Sequence, residues 1–150
     1  MATNRSRSPE RLMPTREPTL VLLDTNFLMV SIRFGVDVEA ELNRIIESSL
    51  KIATTTAIVD ELRWLKTRVK PGEEKEIDFA LAFAGRITVL NEALGPGEEV
   101  DDQLIRLASR EGSIVATTDA ELRRRLRERF IPIVYLRQRR HLVVDGLISR

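Results

Sequence analysis

A chain of 150 residues with 43% apolar content is long enough to bury one core and too apolar to be a disordered segment. It contains no cysteine, which excludes disulfides, thiolate metal sites and cysteine nucleophiles, and leaves only oxygen ligands or the single His141 for any metal. The net charge of +1 conceals segregation: acids gather in the middle, while "RRRLRER" and "RQRR" make residues 123–140 strongly basic.

In chain order, residues 1–18 carry three prolines, two serines and several arginines with no apolar period, so they read as a flexible basic tail. The fold is expected in residues 19–150, as one domain. The tail lacks the apolar centre of a signal peptide, and no run approaches the roughly 18 to 20 apolar residues of a membrane span. A soluble cytoplasmic protein without a membrane partner is expected. Short apolar runs then alternate with helical patterns: "LVLL" as a strand, "DVEAELNRIIESS" (residues 37–49) as a helix, "KIATT" as a strand, "AIVDELRWLKTRV" as a helix. That alternation predicts β-α-β units, an α/β fold and a mainly parallel sheet. "PGEEKEIDFALAFAGR" supplies a turn and a helix, "ITVL" a third strand, and "GPGEE" a loop into the helix "VDDQLIRLASREG", whose final glycine suits a C-cap. "SIVATT" is a fourth strand, "AELRRRLRERF" a basic helix and "IVYL" a last strand; "HLVVDGLI" suggests a small hairpin turning at Asp-Gly.

Ligands of open parallel sheets bind beyond the carboxyl ends of the strands, where acids from distant positions can converge. Asp24 directly follows the first strand, and Asp119 follows the fourth in the same way. On its helix Glu61 borders the apolar face of Ile58, Leu62, Leu65 and Val69, whereas Asp60 points away. Asp101 shares the face of Leu104, Ile105 and Ala108, and Asp102 is turned from it. Each acid also has a plainer explanation: Asp24 and Asp101 as helix caps, Asp119 within a Thr118-to-Glu121 capping box. Taken jointly they would repel one another strongly unless a cation sat among them. Several carboxylates with no softer ligand suit Mg2+ or Mn2+, and such an ion activates water and stabilises displacement at phosphorus. Phosphodiester hydrolysis is the reaction that follows.

Arg123, Arg124, Arg125, Arg127 and Arg129 lie on the helix after Asp119, so a phosphate backbone drawn to them would lie beside the acids; the plainer alternative is a solvated basic face. Trp64 and Tyr135 offer rings on which a base can stack, but read more simply as core. His141 is poorly placed for catalysis. Aspartyl-phosphate hydrolases need a second Asp where this chain has Asn26, receiver domains need an acidic pair and a late lysine, and no Walker loop occurs.

"LLDTNF", "VDELRWLK", "DDQLIRLA" and "IVATTDAELRRRL" together resemble a PIN-domain ribonuclease over about residues 19–138. "DTNFLMVSIRFGVDV", "VATTDAELRRRLRE" and "IPIVYL" are most similar to the branch that processes small-subunit ribosomal RNA precursors. The resemblance implies a three-layer α/β/α fold, frequent homodimerisation, and metal on Asp24, Glu61, Asp101 and Asp119, the set reached above from strand ends and helix faces. It further implies support from Asp102, Asn26 and Thr117, and an RNA substrate, precursor ribosomal RNA, met among pre-ribosomal proteins. Without cysteine the chain lacks the zinc ribbon of one processing subgroup, which leaves the substrate open. The expected function is a metal-dependent endoribonuclease; the alternatives are a toxin-like PIN ribonuclease controlled by a protein inhibitor, and a non-catalytic RNA-binding scaffold.

Overall fold

"TLVLL" has no polar alternation, and such a run is stable as a strand only when both its faces are covered. The computed structural model, which describes residues 17–146, puts it at the centre of the sheet. The strands are β1 (Thr19–Leu23), β2 (Leu50–Thr55), β3 (Thr88–Leu90), β4 (Ile114–Ala116), β5 (Ile133–Arg137) and β6 (His141–Asp145). Their order is β3-β2-β1-β4-β5-β6, parallel from β3 to β5, with β6 antiparallel to β5.

The helices are α1 (Val30–Phe34), α2 (Val38–Ile45), α3 (Thr56–Lys66), α4 (Glu74–Ala84), α5 (Val100–Glu111) and α6 (Ala120–Glu128), with a 3-10 turn at Phe27–Met29 before α1. The chain steps outward from β1 to β3, then returns across β1 to β4 and steps the other way. Right-handed connections therefore put α1 to α4 on one face and α5 and α6 on the other, giving the three-layer α/β/α sandwich. Val21, Leu22, Leu23, Val115 and Ala116 are fully covered between those layers. The crevice beyond the carboxyl ends of β1 and β4, where the strand order reverses, is the place such a sheet offers a ligand.

Three local expectations need correction. The helix expected over residues 37–49 ends at Ile45, because Ile46 turns to extended backbone (φ −111, ψ 119). The 3-10 turn and α1 were not foreseen: they are too short to show a period, and Gly35 at φ 68 closes them in the left-handed conformation. "SIVATT" is a strand only over Ile114–Ala116, although the Thr117 N–H still reaches the Val134 carbonyl of β5 (3.0 Å). Through Asp145, "HLVVDGLI" is β6, paired with β5 by a turn at Gln138 and Arg139, both left-handed (φ 56 and 59); a turn at its Asp-Gly would close on residues outside the described ones. By contrast Gly112 caps α5 at φ 68, as its position predicts. Residues 1–16 of the expected tail, and Leu147 and Ile148 of that hairpin, lie outside the described residues. Among the described residues no helix is long and apolar enough to cross a membrane.

Candidate active site

Asp24 is the first residue after β1, and its backbone stays tied to the sheet through its N–H to the Ala116 carbonyl (3.2 Å). Its Oδ1 accepts the Phe27 N–H at 2.7 Å, which starts the 3-10 turn. Its Oδ2 accepts the Thr117 hydroxyl at 2.5 Å, across a sequence separation of 93 residues. Only 5% of Asp24 is exposed. A buried carboxylate with two donors is held in one orientation.

Thr117 is fully buried and serves both acids: its Oγ1 donates to Asp24 and accepts the Asp119 N–H at 3.0 Å. Asp119 is the N-cap of α6, its Oδ1 accepting from the N–H groups of Glu121 (2.8 Å) and Leu122 (3.0 Å). The capping residue is thus Asp119 itself and not Thr118, and capping occupies Oδ1.

Glu61 lies on α3, half-buried, and accepts the Thr25 hydroxyl at 2.5 Å. Thr25 has no place in the reading from sequence, since nothing local links it to a glutamate 36 residues away. The signal available was adjacency: Thr25 follows Asp24 at the end of a central strand. Asp101 and Asp102 open α5. Asp102 has structural partners, its Oδ2 accepting the Glu99 N–H (2.9 Å) in a capping box and its Oδ1 pairing with Arg125 (2.7 Å). Those contacts hold the Asp102 carboxyl below its ordinary range.

The acids of the crevice feel one another. Burial pushes the Asp24 carboxyl up from 3.8 to about 7, and the charges of Asp101 and Asp119 push the same way, against its two hydrogen bonds. Asp101 is also raised, first by burial, then by Asp119, with Glu61 and Asp102 adding and Arg125 opposing. A cluster that strains toward protonation favours a cation among its members. All four offer hard oxygen donors, the set that fits Mg2+ or Mn2+. As the side chains stand, no three Asp, Glu or His groups among the described residues converge tightly enough to enclose a bare ion.

The family model described as "PIN like domain" matches residues 21–139. The chain belongs to that family. It is 29% identical over 131 residues to Ribonuclease VapC4 of Methanocaldococcus jannaschii, covering 85% of this chain and 98% of that protein. It is 29% identical over 148 residues to the rRNA-processing protein utp23 of Schizosaccharomyces pombe, covering 92% of this chain and 55% of that protein, about half its length. Among solved structures it resembles the PIN domain endonuclease Utp24, with a TM-score of 0.72 at 22% identity over 88% of this chain and 95% of that one, a likeness of fold.

Within this PIN-like domain the basic helix is less free than its sequence suggests. Arg124 pairs with Glu121 and Glu128, Arg125 with Asp102, and Arg127 with Asp145 (2.8 Å). Arg123 differs: its guanidinium stacks 5.0 Å above the Tyr135 ring, and its Nε is buried without an acceptor. Asn26 is exposed and does not cap the 3-10 turn with its side chain. Trp64, read as core, is 54% exposed on α3 with Arg68 over its ring at 4.0 Å; Tyr135 is half-buried. His141 is exposed at the start of β6.

Proposed function

We propose that this PIN-like domain is a metal-dependent endoribonuclease that hydrolyses RNA phosphodiester bonds in the cytoplasm, acting on ribosomal RNA precursors. The observation that carries the reading is the crevice itself: Asp24 and Asp101 are raised by burial and by the neighbouring acids Asp119 and Glu61, at the strand-order reversal of the sheet. Asp24, Asp101 and Asp119 would hold Mg2+ or Mn2+, with Glu61 as ligand or as the base that orients water. When bound, such an ion supplies an activated water and stabilises charge at phosphorus. Thr117 keeps Asp24 and the Asp119 backbone in register, and Thr25 holds Glu61. Similarity to an rRNA-processing protein supports the substrate class. Pre-ribosomal proteins, and a second copy of the chain, are the protein partners this reading carries.

The test is cleavage of a precursor small-subunit RNA with manganese or magnesium, comparing wild type, Asp24→Asn and an EDTA control. Discrete cuts that vanish in both controls are expected; full activity in Asp24→Asn would sink the proposal. Tightly bound but intact RNA would turn the reading to a scaffold. A toxin-like ribonuclease held by a protein inhibitor is the second reading, favoured by the match to nearly the whole of Ribonuclease VapC4. Growth arrest on expression of the chain alone, relieved by Asp24→Asn, decides for it.

A further inference from the structure

Beside the acids lies a cleft of about 160 Å³ lined by Asn26, Arg33, Phe34, Thr118, Arg123 and Leu136. It lies close to the acidic crevice, for Asn26 is two residues from Asp24, and Thr118 lies between Thr117 and Asp119. Two arginines face it from α1 and α6. Arg33 spends its Nε on Glu76 (2.9 Å) and one terminal nitrogen on the Met29 sulfur (3.5 Å). Arg123 spends nothing on a carboxylate among the described residues; its plane rests on Tyr135 and its buried Nε has no acceptor. A guanidinium with no carboxylate partner leaves its charge available to an anion that enters the cleft. The planar fork of arginine matches the oxygens of a phosphodiester.

A larger cavity of about 500 Å³ shares Asn26 and Arg33 but adds Glu73 and Glu76 to its wall. Those carboxylates repel a phosphate, which favours the α6 side, where Arg123 has no carboxylate partner among the described residues. Resting on the nuclease reading for why RNA enters the crevice, we propose that this cleft binds the RNA phosphodiester next to the one cut, with Arg123 as the principal contact and Arg33 as the opposite wall. Arg124, Arg125 and Arg127, already paired with acids, contribute little to that contact.

The test measures binding of a short fluorescent single-stranded RNA to the full chain in EDTA over a salt series, with one phosphate at a time replaced by neutral methylphosphonate. Arg123→Gln should weaken binding about tenfold and lower the log–log salt slope by about 0.7, the value for one contact on a single strand. One methylphosphonate position should weaken wild-type binding and be silent in Arg123→Gln. Arg33→Gln, which leaves the Tyr135 stack intact, should show a smaller loss at the same position. Lys51→Gln removes an exposed charge at the opposite end of the sheet and controls for the general field. Equal affinity and slope in wild type and Arg123→Gln would overturn the proposal. So would inorganic phosphate that binds wild type but not Arg123→Gln while RNA affinity is the same in both, since the cleft would then take a free anion. RNA bound with the Arg123 signature but never cut with manganese would sink the nuclease reading and leave the cleft standing. RNA cut by both proteins with an unchanged slope would do the reverse.

Discussion

In EDTA at pH 8, Asp24→Asn should be more stable than the wild type, and the advantage should vanish in acid. The folded protein lifts the Asp24 carboxyl from 3.8 to about 7, with burial the main cause. The folded state therefore binds this proton more tightly than the unfolded chain does. Stability carried by the neutral carboxyl is complete below 3.8, declines as pH rises, and is gone above about 7. At about 1.36 kcal/mol per pH unit, that window represents about 4 kcal/mol. Asparagine keeps both contacts, its Oδ1 accepting from Phe27 and its amide donating to Thr117, and the hydrogen bonds that favour the charged carboxylate are already counted in the net rise. The net gain is about 4 kcal/mol at pH 8, falls to about 1 kcal/mol near pH 4.5 and vanishes below 3.8. Urea unfolding followed by circular dichroism at several pH values in EDTA measures it, with the m-value serving as a check on the two-state treatment. A difference between the two proteins that is the same at every pH, or a less stable variant at pH 8, would refute the reasoning.

Magnesium or manganese at about one hundred times its dissociation constant should stabilise the wild type by about 2.7 kcal/mol at pH 8, and Asp24→Asn far less; thermal melts with and without EDTA read both. Thr117→Val removes a donor from buried Asp24 and should cost about 1 to 3 kcal/mol, while moving the acidic limb of the activity profile upward, because that hydrogen bond lowers the Asp24 carboxyl. Thr25→Val should leave stability within about 0.5 kcal/mol yet lower kcat with KM nearly unchanged, and Thr25→Ser should restore it; a change in KM alone would remove Thr25 from the positioning of Glu61. Phe130 is 92% exposed at φ 59, so Phe130→Gly should raise the urea midpoint by relieving about 1 kcal/mol of left-handed strain.

The four acids were legible because each depends on a short-range signal. Asp24 and Asp119 end apolar runs, and Glu61 and Asp101 fall on countable helical faces. What escaped depends on contacts between distant residues. The partners of Arg125 and Arg127 come from α5 and β6, and a run of arginines looks equally free whether or not distant acids face it. Thr25 meets Glu61 only because α3 lies over the end of β1. The link from β5 to β6 escaped for a related reason: it is a left-handed turn at Gln138 and Arg139, residues with no strong turn preference.

The order β3-β2-β1-β4-β5-β6 has a consequence for how the protein can be taken apart. A break in residues 91–99 divides the sheet into two contiguous three-stranded halves that meet between β1 and β4. Asp24 and Glu61 stay with the first half, Asp101 and Asp119 with the second. α2 reaches over the seam, its Glu41 accepting the Leu142 N–H of β6 at 3.2 Å, and gives the halves a handle on each other. Two separately made fragments would each carry half of the acidic set, so the return of cutting activity on mixing them would report reassembly of the whole molecule.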